Sequence, residues 1–173
     1  MSSDRTFHLV ATSIEVDVPS FEEFYEREKD DLFGALCMVT RDRQEAEQLA
    51  QDAFLIVYER WDRVAAMEKP TGYLYQVAMN AFRSWNRRVS LGAKRVLGLS
   101  PPDDLIEEID AEDAVMRVLA PLSPRRRAAV VLVDLLGYSS EDAGHILGIR
   151  AATVRTHVAK AHEELRSTMG GKR

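Results

Sequence analysis

Apolar residues recur every three or four positions through the first half of the chain, which is the spacing of one face of an α-helix. Ser20 opens a capping-box pattern, and the apolar stripe behind it predicts a first helix up to Thr40. A second stripe runs over 42–64, and a third follows the break at 69–72 and ends near Arg88. Three consecutive helices of this kind predict a small helical bundle.

The second half of the chain carries the pattern of a helix-turn-helix. After a segment rich in glycine, proline and acids, a strongly apolar helix is predicted over 128–136. Gly144 is small enough to let two helices cross closely, and Gly148 tolerates the positive φ of a tight turn between them. The positions that would pin both helices to a third are apolar: Ala143, Leu147, Ile149, Val154 and Val158. This combination predicts a helix-turn-helix.

These patterns predict an all-α protein of two small helical domains joined by a flexible acidic linker. The first domain, a three-helix bundle, spans 20–95, and the second, a four-helix domain that contains the helix-turn-helix, spans 113–170. The linker covers 96–112. Residues 1–19 are an N-terminal extension of unknown role, in which the apolar positions of Phe7–Val18 would allow a strand.

The composition is typical of a soluble globular protein, with 46% hydrophobic and 29% charged residues. No apolar run approaches the roughly 20 residues that span a bilayer, and the N-terminus is too acidic for a signal peptide. We therefore expect a cytoplasmic protein without a membrane span. The one cysteine, Cys37, cannot form an internal disulfide and has no CxxC neighbour for a thiolate metal site.

The net charge of -5 is distributed in blocks of opposite sign. Residues 1–60 carry 6 Lys/Arg against 14 Asp/Glu, whereas 61–100 carry 7 against 2. Residues 101–122 carry 1 against 7, and 123–173 carry 9 against 5. Two basic segments separated by an acidic one indicate two modules that face nucleic acid. Solvated helix faces account for the blocks equally well.

The third predicted helix presents a mixed polar face opposite its apolar stripe. This face carries an aromatic, two amides and two cations: Tyr73, Gln76, Asn80, Arg83 and Arg87. Amides can hydrogen-bond base edges, guanidinium groups bind phosphates, and a base stacked on an aromatic gains on the order of 1–3 kcal/mol. The mixture suits single-stranded DNA, although each tyrosine alone is also typical of an ordinary amphipathic helix.

Catalytic motifs are absent from the sequence. It contains no GxxxxGK phosphate loop, no GxSxG elbow and no HExxH pair. His157 and His162 are five positions apart, so they lie on different faces of a helix and do not suit a shared metal ion. We predict no catalytic residues, no metal site and no cofactor, and hence a protein that is not an enzyme.

Three motifs, in order along the chain, carry a resemblance that covers about 20–166. They are RDRQEAEQLAQDAF at 41–54; PTGYLYQVAMN at 70–80 with Arg87 and Arg88; and LSP at 122–124 with Arg127, followed by GYS at 137–139 and TVRTH at 153–157. Together they resemble an extracytoplasmic-function sigma factor of the sigma-70 family. This is the minimal kind, with region two and region four alone.

The resemblance implies that the second helix grips the clamp helices of the largest subunit of core RNA polymerase, and that region four meets the flap of the second-largest subunit. The residues implied for polymerase binding are Asp42, Glu47, Gln48, Gln51, Asp52 and Phe54. In this family an anti-sigma protein covers both domains. The resemblance therefore also implies an anti-sigma partner.

Promoter DNA is the second implied partner. For the -10 element the implied residues are Tyr73, Gln76, Asn80, Arg83, Arg87 and Arg88. Family members hold an extruded base beside the loop before this helix, here at about 64–71. For the -35 element the implied residues are Arg127, Arg150, Thr153, Arg155, Thr156, His157 and Lys160.

We therefore predict an alternative sigma factor that binds core polymerase, recognises the -35 and -10 elements and nucleates promoter melting. One alternative is a conventional helix-turn-helix regulator, which would bind duplex DNA tightly without polymerase. Another is a helical adaptor or inhibitor of polymerase, which would tolerate loss of Arg155 and Lys160. The acidic overall charge fits weak binding of free DNA, because phosphate contacts supply most non-specific affinity.

Overall fold

The computed structural model describes residues 19–95 and 111–170, and all regular secondary structure in these ranges is helical. The predicted all-α class is thereby confirmed for this part of the chain. The strand considered for Phe7–Val18 and most of the acidic linker lie outside the described residues. The helices are α1 (Phe21–Thr40), α2 (Arg43–Tyr58), α3 (Trp61–Ala65), α4 (Pro70–Arg95), α5 (Ala111–Leu119), α6 (Pro124–Val130), a π-helix (Val131–Leu135), α7 (Ser140–Leu147) and α8 (Ala151–Gly170).

The first domain begins at the start signal in the sequence. The Ser20 hydroxyl accepts a hydrogen bond from the Glu23 backbone N–H at 3.2 Å, and the Glu23 carboxylate accepts one from the Ser20 N–H at 3.0 Å. This reciprocal pair completes the capping box. α1, α2 and α4 then bury their apolar stripes against one another, as a bundle requires. Core residues include Phe24, Leu32, Leu36, Leu49, Val57, Leu74 and Met79.

The predicted boundaries of the second and third helices are wrong. α2 ends at Tyr58 and a separate turn, α3, begins at Trp61, where the sequence pattern had suggested one helix up to residue 64. The break lets the Trp61 ring fold back onto α1, with its centroid 4.9 Å from that of Phe24. A periodic stripe cannot distinguish a straight helix from one that breaks to pack an aromatic. α4 continues past Arg88 to Arg95.

The second domain is built on a strongly apolar segment. Ser123 precedes Pro124 at the start of α6. A backbone N–H at the first position of a helix has no partner within the helix, so proline, which lacks this N–H, loses no hydrogen bond there. The segment widens into the π-helix, and Gly137 with φ 72° then turns the chain toward α7. α5 buries Leu119, whereas Val115 and Val118 remain exposed.

The helix-turn-helix comprises α7 and α8. The Ser139 hydroxyl caps α7 by accepting from the Asp142 N–H at 3.0 Å, and Gly148 ends the helix at φ 64°. A Cβ at Gly144 would lie 2.8 Å from the carbonyl oxygen of Ile149, so the crossing requires a glycine. The pinning positions pack as predicted: Ala143, Leu147 and Val154 are buried, and Ile149 and Val158 are partly buried.

Replacing Gly144 with alanine should destabilise the protein by about 1–3 kcal/mol, because the turn backbone must move away from the new methyl group. Urea unfolding followed by circular dichroism measures the loss. The control is Gly34 in α1, where an added Cβ meets nothing within 4 Å. Gly34→Ala should raise stability by up to about 1 kcal/mol, because alanine loses less backbone entropy in a helix. A similar change in both variants would contradict the crossing argument.

The two domains pack against each other, a question that the sequence had left open. α4 of the first domain contacts α7 of the second, and α1 contacts α5, α6 and the π-helix. The Tyr75 ring of α4 lies 5.7 Å from that of Tyr138, in the turn before α7. Burial raises the pKa of Tyr75, so its hydroxyl remains protonated at all ordinary pH values. The helix-turn-helix therefore rests directly on the third long helix of the first domain.

Candidate nucleic-acid and polymerase interfaces

The polar face of α4 is present but unevenly accessible. Asn80, Arg87 and Arg88 are exposed, and the Arg83 guanidinium donates a hydrogen bond to the Asn80 side-chain oxygen. Tyr73 is half-buried, and its hydroxyl accepts from Arg60 at 3.0 Å. The neighbouring Tyr75 is buried in the core, so of these two tyrosines it is Tyr73 that has a partly exposed ring. The face thus offers amide and guanidinium donors at three- and four-residue steps.

Two side chains of this face are engaged by α7 and its turn. Gln76 Nε2 donates to the carbonyl oxygen of His145 at 3.3 Å, and Arg83 Nη1 donates to that of Leu147 at 2.8 Å. The Arg83 guanidinium also lies beside Gly148, which ends α7. The sequence predicted these two residues for DNA, and the structure places both in the inter-domain contact.

The outer face of α8 carries the predicted -35 residues. Arg150, Arg155, Thr156 and Lys160 are exposed, while Thr153 and His157 are half-buried. Arg155 reaches back to Glu141 of α7 at 3.2 Å, an exposed pair that fixes the guanidinium only weakly. Hydroxyl, guanidinium and ammonium groups on one exposed helix face suit base edges and phosphates in a major groove.

Arg127, also predicted for the -35 element, lies apart from the other predicted residues. This residue lies in α6 and therefore not on the outer face of α8. It is 6% exposed and packs within the second domain, so its guanidinium does not face solvent. A basic residue beside an LSP motif gives no sign of its burial, because the long arginine stem can pack inside a domain as readily as along its surface.

A cleft of about 720 Å³ separates the -10 face of α4 from α6 and α8. Its basic lining residues come from both domains and are Arg83, Arg87, Arg125 and His157. Burial lowers the pKa of His157, and the nearby cations Arg125, Arg126 and Lys160 lower it further. Both effects favour the neutral form of the imidazole.

The predicted polymerase surface of α2 is a row of exposed polar side chains. Glu47, Gln48, Gln51 and Asp52 all face solvent, and Gln51 donates to Glu47 at 3.3 Å. Asp42 is also exposed, but its carboxylate caps α2 by accepting from the Glu45 N–H at 3.0 Å. Asp42 thus caps the start of α2. Glu47, Gln48, Gln51 and Asp52 form an exposed row of acidic and amide side chains, which we call the acidic row.

Phe54, also predicted for polymerase binding, is buried, and exposed apolar residues that were not predicted from the sequence lie beside it. Its ring is 6% exposed and packs against Tyr25 at 4.8 Å, so it supports the surface more than it forms it. Beside it, Leu55 and Tyr58 are 56% and 58% exposed. With Phe21 and Tyr25 they line an open groove of about 560 Å³ next to the acidic row. We call Tyr25, Leu55 and Tyr58 the apolar patch.

A signal for the apolar patch was present in the sequence. Leu55 and Tyr58 lie three residues apart and belong to one face of α2. That face is distinct from the stripe of Leu49, Ala53 and Val57, which is buried. Large apolar residues outside the core stripe of an amphipathic helix indicate a surface that another protein covers.

Within 19–95 and 111–170, no three His, Cys, Asp or Glu side chains are grouped to hold a metal ion. The helices in the same ranges include none that is long and apolar enough to cross a bilayer.

Comparison with known protein families identifies both domains. Residues 24–91 match the model of sigma-70 region 2, and residues 112–165 match the model of sigma-70 region 4. The chain belongs to the sigma-70 family. The two matches cover most of the described residues and agree with the resemblance seen in the sequence. The curated relatives of this chain include proteins named ECF RNA polymerase sigma factors, so this sigma factor is of the extracytoplasmic-function kind. The predicted function of an alternative RNA polymerase sigma factor is confirmed.

Two relatives and one solved structure are similar to this sigma factor over most of their length. It is 29% identical over 155 residues to the RNA polymerase sigma-E factor of Streptomyces coelicolor, covering 88% of each chain. It is 27% identical to the ECF RNA polymerase sigma factor SigM of Mycobacterium tuberculosis, covering 94% of this chain and 83% of that one. The fold matches the sigma factor RpoE of Bartonella quintana, solved with the anti-sigma factor NepR. The TM-score is 0.74 at 22% identity, over 88% of this chain and 98% of that one.

Proposed function

We propose that this sigma factor binds three different ligands through three surfaces, each on a different helix. α2 binds core polymerase, α4 recognises the -10 element as a single strand, and α8 recognises the -35 element as duplex. The observation that carries the proposal is the separation of chemistry: the α2 row is acidic and amide-rich, whereas α4 and α8 present exposed arginines with amides or hydroxyls. Each composition suits its ligand and is unsuited to the others.

At the -10 element, the face of α4 supplies both base and phosphate contacts. Asn80 is exposed, and its amide NH2 can donate to a base edge while its oxygen accepts from Arg83. Arg87 and Arg88 lie about two turns further along. Both are exposed, so their guanidinium groups can bind phosphates. Tyr73 offers a half-buried ring whose hydroxyl is held by a hydrogen bond from Arg60. The ring therefore loses little further conformational freedom when a base stacks on it.

At the -35 element, α8 enters the major groove with Arg150, Arg155 and Lys160 on its outer face. Arg155 must break its ion pair with Glu141 to reach a base. Because the pair is exposed to solvent, breaking it costs little free energy. His157 is neutral in the free protein, and a phosphate beside it would raise its pKa and favour the charged form. Phosphate contacts then fix the register in which Arg155 meets its base.

Polymerase binding combines the acidic row of α2 with the apolar patch. Polar and charged residues around a small apolar centre are the usual organisation of a specific protein interface. Glu47, Gln48, Gln51 and Asp52 supply the complementary charge, and Leu55 and Tyr58 supply the area that can be desolvated. The Phe21 ring packs against Tyr58, and the Phe54 ring packs against Tyr25.

The remaining predictions follow from this role. The chain acts as a recognition subunit without catalytic residues of its own, and it works where polymerase and promoter DNA are, in the cytoplasm. The fold is that of a sigma factor solved with an anti-sigma factor, which supports an anti-sigma partner for this chain also. Such a partner would act by covering surfaces on both domains.

Run-off transcription on a promoter library with core polymerase tests the proposal. The wild-type chain should select promoters with two common elements. Asn80→Ala should lower initiation and relax selection at one position of the -10 element, because a base contact is worth about 1–3 kcal/mol, or roughly five- to 150-fold. Arg155→Ala should do the same at the -35 element.

The matched control for both variants is Arg166→Ala. Arg166 is an exposed arginine near the end of α8, bonded only to the His162 carbonyl of the preceding turn among the described contacts, and it should leave selection unchanged. If no initiation occurs while duplex binding persists, the chain is a conventional helix-turn-helix regulator. If initiation survives Asn80→Ala and Arg155→Ala unaltered, the assignment of these residues is wrong.

A further inference from the structure

Glu28 of α1 is a buried residue that none of the three proposed surfaces uses. Within the ranges that the structure describes, the buried polar residues are Glu28, Thr40 and Arg127, of which only Glu28 is acidic; it is 7% exposed. A buried carboxylate lowers stability unless hydrogen bonds or an opposite charge compensate for its lost hydration. The partners of this carboxylate therefore decide what it contributes.

Two donors from different parts of the chain converge on one oxygen of Glu28. Its Oε1 accepts from the Arg27 Nε at 2.8 Å and from the Thr71 hydroxyl at 2.9 Å. Arg27 is the preceding residue, and its guanidinium also lies 5.3 Å from the Phe24 ring, so it balances the charge from within α1. Thr71 follows 43 positions later, in the first turn of α4. The Glu28–Thr71 hydrogen bond thus joins the middle of α1 to the start of α4.

The first turn of α4 needs such a contact because its own sequence favours a helix only weakly. Proline is tolerated at the start of a helix, but Thr71 and Gly72, which follow Pro70, are both poorer helix formers than alanine. The first backbone N–H groups of a helix also have no partner within it, and a nearby negative charge stabilises them. The Glu28 carboxylate supplies this charge together with an acceptor for the Thr71 hydroxyl. It therefore stabilises the turn and fixes its position against α1.

The same turn carries Tyr73, the residue proposed to stack on a base of the -10 strand. Tyr73 lies two residues after Thr71, and its backbone N–H donates to the Lys69 carbonyl at 3.2 Å. Its hydroxyl accepts from Arg60, the residue that precedes α3, at 3.0 Å. The backbone of the turn is thus held from α1, and the tip of the ring is held from the start of α3. Together these contacts restrict the orientation of the ring.

We infer that Glu28 is a positioning residue for recognition of the -10 element. Its carboxylate fixes the first turn of α4 through Thr71, and this turn sets the position of the Tyr73 ring on which a base stacks. Glu28 itself is buried and does not touch DNA. This role rests on the proposed binding of the -10 strand by α4.

Binding of a single-stranded probe to the holoenzyme tests this role. The probe is a fluorescent single strand that carries the non-template -10 sequence selected in run-off transcription. Glu28→Ala leaves the Thr71 hydroxyl without its acceptor and should weaken probe binding by about tenfold, which is within the contribution of one stacked base. Glu28→Gln retains an oxygen that can accept from Thr71 and should recover most of the affinity. Asp30→Asn removes an exposed charge of the same helix and should leave probe binding unchanged.

A double-mutant cycle with Tyr73→Ala separates positioning from a merely structural role. Tyr73→Ala should itself weaken probe binding, because the stacking ring is lost. Adding Glu28→Ala to Tyr73→Ala should then cost no further affinity, because no ring remains to be positioned. If Glu28→Ala weakens binding by the same factor with and without the ring, Glu28 acts on the fold as a whole and the inference is overturned.

Substitutions of Thr71 keep the test independent of any folding defect in Glu28→Ala. Thr71→Val removes the hydroxyl at nearly constant shape and leaves the carboxylate bonded to Arg27. It should weaken probe binding several-fold when Tyr73 is present and have no effect when Tyr73 is replaced by alanine. Thr71→Ser retains a hydroxyl, so it is the matched control and should bind like the wild type. Equal binding by Thr71→Val and Thr71→Ser would show that this hydrogen bond positions nothing.

Asn80→Ala distinguishes failure of this role from failure of the proposed function. If Tyr73→Ala leaves probe binding unchanged while Asn80→Ala weakens it, the Tyr73 ring stacks no base. Positioning by Glu28 is then overturned, although α4 still binds the strand. If neither substitution weakens binding, α4 does not bind the -10 strand, and the proposed function itself fails at this surface.

Discussion

Tyr58→Ala should weaken the affinity of this sigma factor for core RNA polymerase by about thirtyfold, the effect of losing one interface hot spot of roughly 2 kcal/mol. The Tyr58 side chain is exposed in the free chain, yet its ring is held edge-on by Phe21 at a centroid distance of 4.9 Å. A large ring that is already oriented loses little conformational entropy when a partner covers it. Titration of labelled core polymerase measures the affinity.

The leucines of the chain offer a matched control for the apolar patch. Leu55 on α2 and Leu91 on α4 are 56% and 57% exposed, so truncation to alanine removes similar accessible area from each. Leu55→Ala should weaken polymerase binding several-fold, and Leu91→Ala should not change it. Equal losses for the two leucine variants would show that general surface hydrophobicity drives binding, and the assignment of the patch would then fail.

The helices of this protein were predictable because their signals are local. Ser20, Ser139 and Gly148 each mark a helix boundary through a backbone requirement that one residue type meets. Gly144 is similar, because the close helix crossing leaves no room for a Cβ. The motifs that indicated the family are also contiguous in sequence. Sequence alone therefore predicted the fold class, the helix-turn-helix and the helices that carry each candidate surface.

Burial and domain packing were less predictable because they depend on residues distant in sequence. Arg127 and Phe54 belong to helices with candidate surfaces, yet their side chains are buried by neighbouring elements. Gln76 and Arg83 lie on the polar face expected for DNA, but the carbonyls that bind them come from residues more than sixty positions later. Backbone acceptors have no residue signature, so no sequence motif could predict this contact.

The contact between Phe24 of α1 and Trp61 of α3 was also only partly predictable from the sequence. The stripe that includes Phe24 was predicted from helical spacing, whereas the return of Trp61 onto it was not, because that return depends on the break after Tyr58. Phe24 is fully buried, and the Arg27 guanidinium lies 5.3 Å from its ring. One side chain thus connects α1 to α3 at the edge of the bundle.

Phe24→Ala should lower the free energy of unfolding of the first domain by about 3–5 kcal/mol, through lost burial and the cavity that remains. This is a large share of the roughly 5–15 kcal/mol that stabilises a typical domain. Trp61, whose ring is 4.9 Å from Phe24, makes tryptophan fluorescence during urea unfolding a local measure of the loss. Phe24→Leu retains most of the apolar volume and should cost much less. If the two variants unfolded at the same urea concentration, the ring would not be the contact that joins α3 to α1.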